Sequence, residues 1–215
     1  MKNARKCWVD KISLLYNFLF MLSILKILFI ISILPTLIFA EENLFNANEH
    51  CVAWKTSKRM FLVSNSSPIG KNCGIETEAL KIKSDFQLKG IVPVGKFDSG
   101  EPSRDSEVVI MLGGEAHPNI IIESEPLSAS KLNQILKEEQ MVKGFLTIKG
   151  NKNPISIKIK ATQKDKEITY FGTMNTSFTA LGVEPPSVGG GVVAKVRDEL
   201  DLLFQFQKSK IKGHP

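Results

Sequence analysis

Along most of this chain, apolar and polar residues change places at every second position. No other feature constrains the fold as strongly. In PISIKIKAT, Ile155, Ile157 and Ile159 stand against Ser156, Lys158 and Lys160. In ALKIKSDFQLKG, Leu80, Ile82, Phe86 and Leu88 fall on one face and Lys81, Lys83 and Lys89 on the other. FLTIKG sets Leu146 beside Ile148, and KEITYFGTMNTSF continues with Ile168, Tyr170, Met174 and Phe178. The last run places Leu200, Leu202, Phe204 and Phe206 against Glu199, Asp201, Leu203 and Gln205. EVVIML and NIIIES add two shorter strand-like runs carrying Val108, Ile110 and Ile122. Successive side chains of a strand point to opposite faces, so each run buries one face and wets the other. GNKNP, residues 150–154, has the chemistry of a hairpin turn. Only SASKLNQILKEEQ departs, spacing Leu132, Ile135 and Leu136 at helical intervals. It predicts one short helix at about 130–139, with Ser128 or Ser130 as its cap.

Seven or eight antiparallel strands, each apolar on one side, bury those sides by forming a sandwich or a closed barrel. An eight-stranded barrel has an interior just wide enough to be filled by side chains or to hold one slender ligand. The inward-facing set is therefore either a packed core or a cavity wall. It comprises Phe86, Leu88, Val108, Ile110, Ile122, Leu146, Ile148, Ile157, Ile159, Tyr170, Met174, Leu202, Phe204 and Phe206. Pro185-Pro186 and Gly189 to Gly191 form a rim loop before the last strand.

Residues 12–39 are nearly all apolar and follow Lys2, Arg5, Lys6 and Lys11. A basic start, an apolar run and Ala40 before Glu41-Glu42 read as a secretory signal over residues 1–40, with Met21 as an alternative start. The competing reading is an uncleaved N-terminal anchor, which would keep the protein near a membrane. Both readings place the domain at residues 41–215 outside the cytoplasm. The formal net charge of +6 is concentrated in this leader, which holds five Lys or Arg and one acidic residue. The remaining lysines alternate with apolar residues, and no basic patch for nucleic acid is left. Cys51 and Cys73 are the only cysteines after the leader, and an oxidising compartment favours their pairing as a disulfide.

The titratable residues do not converge on a reaction. His50, His117 and His214 lie far apart without ligand spacing and read as surface residues, so no metal site is expected. No Gly-x-Ser-x-Gly elbow is present, and GGGVV lacks the Lys-Ser/Thr of a phosphate loop. Arg104 and Asp105 invite a catalytic reading as an ion pair, but read better as residues that shape the loop entering the 107–112 run by hydrogen bonds to backbone carbonyls. Asp198 stands out as an acidic residue on the inward register of the last strand.

Several segments in order resemble the YceI-like family. They are CVAWKTSK, FDSGEPSRDSEV, HPNIIIES, MVKGFLTIKGNKNPISIKI and TSFTALGVEPPSVGGGVVAKVRDELDLLFQF. The likeness spans most of residues 50–207, although Ile122 and Glu123 stand where the family usually carries a Phe before a Ser. It implies an all-β, antiparallel, lipocalin-like barrel of about eight strands, located in the periplasm or secreted. It also implies a binding protein rather than an enzyme, with no cofactor. Its partner would be an isoprenoid lipid or quinone whose tail lies against the inward-facing set. The alternative expectation is a solid-cored envelope protein that uses its rim loops for interaction and holds no ligand.

Overall fold

In a computed structural model, residues 44–60, 65–188 and 194–214 are described. The leader, Cys7 and the glycine run at 189–191 lie outside them. Among the described residues there are eleven strands: β1 (Cys51–Met60), β2 (Asn65–Ser66), β3 (Ile69–Asn72), β4 (Glu76–Ile82), β5 (Asp85–Pro93), β6 (Asn119–Ser124), β7 (Gln140–Ile148), β8 (Asn151–Lys164), β9 (Glu167–Ser177), β10 (Ser187–Val188) and β11 (Ala194–Gln207). Two α-helices interrupt them, α1 (Pro102–Met111) and α2 (Ala129–Ile135).

Nine strands follow one path, β2-β1-β11-β9-β8-β7-β6-β5-β4, with β3 paired to β1 and β10 to β11. Every strand pairing is antiparallel. The path curls as a half-barrel of the lipocalin-like, all-β class. Its two ends are joined by side chains and by the C-terminal segment rather than by a strand ladder. Lys212 lies along the free edge of β4, donating its N–H to the Thr77 carbonyl and accepting from Ala79 N–H at 2.7 Å. Asn72, fully buried, donates to the Pro93 carbonyl at 2.8 Å, tying β3 to the end of β5. A disulfide joins Cys51 at the start of β1 to Cys73 just after β3.

The alternation is visible in the burial of the long strands. On β8, Ile155 and Ile159 are buried while Ser156, Lys158 and Lys160 are exposed. The register then stacks inward residues across neighbouring strands. Val52, Phe204 and Gly172 lie side by side, and so do Trp54, Leu202 and Met174. The apolar interior forms two clusters. One sits under α1 and includes Val108, Leu146, Ile148 and Met174. The other sits under α2 and includes Leu132, Ile135, Ile159 and Tyr170.

Three sequence expectations are corrected here. The EVVIML run belongs to a helix, α1, not a strand. A continuous apolar run has no period that separates the two, and Pro102 at the first helical turn favours helix. Val108 then faces the core, whereas Ile110, about 200° further round the helix, is 78% exposed. ALKIKSDFQLKG is a hairpin rather than one strand. Lys83 takes a positive φ of 57° at its turn, and Leu80 and Ile82 are 40% and 38% exposed. The turn expected over GNKNP lies earlier, at Lys149-Gly150, with φ of 52° and 76° between the paired Ile148 and Asn151. Positive φ at both central residues is the geometry that suits the strand twist of a two-residue hairpin. The helix at α2 begins where Ser128 accepts a hydrogen bond from Lys131 N–H at 3.2 Å.

Candidate functional site

A cavity of about 270 Å³ lies between α1 and the inner face of the half-barrel. Its wall is built by the same alternation that makes the strands. Val52 and Trp54 come from β1, Ile122 from β6, Leu146 and Ile148 from β7, Ile155 and Ile157 from β8, Met174 from β9, and Leu200, Leu202 and Phe204 from β11. Val108, Met111 and Leu112 close it from the helix side, and Phe178, Leu181 and Val183 from the loop after β9. Among the described residues its charged lining is confined to α1 and its N-cap: Glu101, Arg104 and Glu107. Arg104 is already engaged, pairing with Glu101 and donating to the Ser99 carbonyl at 3.3 Å. Asp105 accepts from Ser99 N–H at 3.0 Å. Both side chains thus hold the backbone of Ser99, as expected of residues that shape this loop.

A second, smaller void of about 50 Å³ lies at the α2 end. Leu88, Leu132, Ile135, Ile159, Tyr170 and Phe206 line it. The Tyr170 hydroxyl sits 3.0 Å from Nε2 of His214, and burial raises its pKa.

The inward-facing set therefore divides. Val108, Leu146, Ile148, Met174 and Leu202 line the larger cavity, whereas Leu88, Ile159, Tyr170 and Phe206 line the smaller. Ile122, Ile157 and Phe204 touch both. Phe86 packs against the α2 cluster without lining either void, and Ile110 points to solvent. The sequence set lacks Val52, Trp54, Ile155 and Leu200. All four obey the same two-residue period, in VAWKT for the first pair, so the signal was present. Phe178 ends the alternating KEITYFGTMNTSF run, whereas Leu181 and Val183 enter from a loop, where no period marks them.

Two glycines shape this interior. Trp54 lies across Gly70 on β3, where a Cβ would come within 2.5 Å of its indole ring. Phe204 lies across Gly172 on β9, where a Cβ would sit 2.0 Å from its ring. Each aromatic ring thus occupies the space over a residue with no side chain.

His50 is buried at the seam, which corrects its reading as a surface residue. Its Nδ1 accepts from Gln207 N–H at 3.0 Å, so the ring proton resides on Nε2 and is donated to Thr77 Oγ1 at 2.9 Å. Desolvation, reinforced by the Lys210 charge, lowers its pKa to about 4. The ring stacks on Phe206, which stacks in turn on Phe204. Asp198 has no place in either cavity. It accepts from the Thr179 hydroxyl and from Thr179 N–H at 3.0 Å, and these bonds lower its pKa. Its role is to hold the turn after β9.

The model of the YceI-like domain matches residues 55–207. The chain belongs to the YceI-like family. Solved structures with the same fold include BcnA of Burkholderia cenocepacia, at 16% identity and TM-score 0.55, covering 73% of this chain and 95% of that one. The YceI protein of Campylobacter jejuni is 10% identical with TM-score 0.54, over 69% of this chain and 88% of that one. A polyisoprenoid binding domain from Saccharophagus degradans, implicated in plant cell wall breakdown, is 7% identical with TM-score 0.52, over 73% and 92% of the two chains. No curated protein matches. At these identities the likeness to the solved structures carries the fold. The YceI-like sequence pattern is carried by the family match.

Proposed function

We propose that this protein binds an isoprenoid lipid, its tail held in the cavity beneath α1, and that it carries or stores that lipid outside the cytoplasm. The observation that carries the reading is an apolar cavity of about 270 Å³ whose only charged lining among the described residues sits on α1 and its N-cap. An apolar cavity of about 150 Å³ already admits benzene, so this one encloses roughly ten carbons by proportion. Each buried CH₂ contributes about 0.8 kcal/mol, so such a tail binds with few polar contacts. The Saccharophagus degradans neighbour, described as polyisoprenoid-binding, and membership of the YceI-like family support the ligand class. No histidine or cysteine lines either cavity among the described residues, which favours binding over catalysis.

An isoprenoid quinone is the finer form of this reading, its ring at the α1 end and its tail inward. The leader-like sequence of residues 1–40 and the Cys51–Cys73 disulfide support an extracytoplasmic, periplasmic or secreted location, since disulfides persist in oxidising compartments. The solid-cored alternative suits only the α2 half, where the void shrinks to about 50 Å³. The test is extraction of the purified protein followed by mass spectrometry, with uptake of prenyl quinones by ligand-free protein as a second arm. Co-purified or acquired isoprenoid supports the reading. A ligand-free preparation that takes up none rejects it.

A further inference from the structure

Phe204, Ile122 and Ile157 are the only described residues that line both voids. They come from three strands, β11, β6 and β8, and each borders both voids from the inner face of the half-barrel. All three point inward, yet each keeps accessible surface, as side chains that border empty space do. The core divides in the same way: Ile157 packs against both apolar clusters. On the α1 side the cavity is about 270 Å³, and on the α2 side about 50 Å³. We propose that Phe204, Ile122 and Ile157 form a partition that ends the ligand cavity and sets the length of isoprenoid tail the protein accepts. This rests on the lipid-binding reading above and deepens it.

Phe204 is the part of the partition that is held in place. Its ring lies over Gly172, where no side chain competes for the space, and it stacks on Phe206 at 4.3 Å between centroids. Phe206 stacks on His50, which is fixed by hydrogen bonds to Gln207 N–H and Thr77. The ring therefore has a seat beneath it and a buttress beside it. A tail entering from the α1 side meets this ring after roughly two isoprene units, on the benzene comparison used above. Further units gain no burial and stay at the mouth. Leu132, Ile135 and Tyr170 beyond the partition are apolar enough to receive a longer tail, but the space there is too small for one isoprene unit on the same comparison.

The experiment measures competition by geraniol, farnesol and geranylgeraniol, with 10, 15 and 20 carbons, against a bound fluorescent apolar probe. With the wild-type protein, affinity is expected to stop rising after the shortest or middle alcohol. In Phe204→Leu and, separately, Ile157→Ala, the ratio of affinity for the 20-carbon over the 10-carbon alcohol is expected to rise at least tenfold. The two variants act on different strands, and the wild-type series needs neither. A wild-type affinity that climbs with every added unit overturns the partition, as does an unchanged ratio in the folded variants. Failure of the wild type to bind any of the three alcohols instead overturns the lipid-binding reading itself.

Discussion

Acidification tests the seam of the barrel through one side chain. His50 bonds to Gln207 N–H through Nδ1, a contact that only the neutral ring makes, and it is 7% exposed. Its folded-state pKa is lowered from 6.5 to about 4 by desolvation and the Lys210 charge. A histidine with a depressed pKa binds fewer protons in the folded than in the unfolded state between those two values, so stability falls as pH falls through that window. At about 1.4 kcal/mol per pH unit, moving from pH 7 to pH 4.5 removes about 2–3 kcal/mol. Above pH 6.5 the effect vanishes, since both states are neutral there. The assay is urea unfolding at a series of pH values for the wild type and for His50→Asn, whose side chain does not titrate. The difference between their pH profiles isolates this residue from the carboxylates. The wild type is expected to lose about 2–3 kcal/mol relative to the variant over that range. Parallel profiles would show that His50 protonates without penalty and would refute the buried, singly protonated geometry at the seam.

Gly172→Ala places a Cβ 2.0 Å from the Phe204 ring, so the ring must leave its seat. Overpacking of this kind costs about 1–3 kcal/mol. Calorimetry should show a lowered Tm, and the loss in the Gly172→Ala/Phe204→Ala double variant should be smaller than the sum of the two single losses, whereas additive losses would deny the contact. Cys51→Ala opens a crosslink between residues 22 apart in sequence and should cost about 3 kcal/mol in denaturant unfolding, by the chain-entropy account. Wild-type protein treated with a reductant should match that variant.

The period-two alternation carried much of this architecture into view. β7, β8, β9 and β11 lie where the pattern put them, with Ile155, Ile159, Leu146 and Leu200 turned inward as their parity requires. A one-residue slip would turn each of these strands inside out, which is why the pattern is so informative. The pattern failed where it had no period to offer. EVVIML reads equally as strand or helix, so Ile110 was placed on the inner wall and belongs in solvent. His50 misled for a related reason: a single polar residue carries no period, and its burial depends on Thr77 and Gln207, both remote in the chain.

Sequence alone determined the fold class, the faces of the long strands and the membership of the YceI-like family, because each is written in local spacing or in the order of short segments. Only the tertiary structure decided how the inward side chains share the interior. Parity says that Ile122, Ile157 and Phe204 point inward, but not that these three border both a larger void and a smaller one. That arrangement depends on strand register, on the glycine that lets Phe204 lie flat, and on a helix at α1 where a strand was expected. These are relations between residues far apart in the chain, and packing alone brings them together.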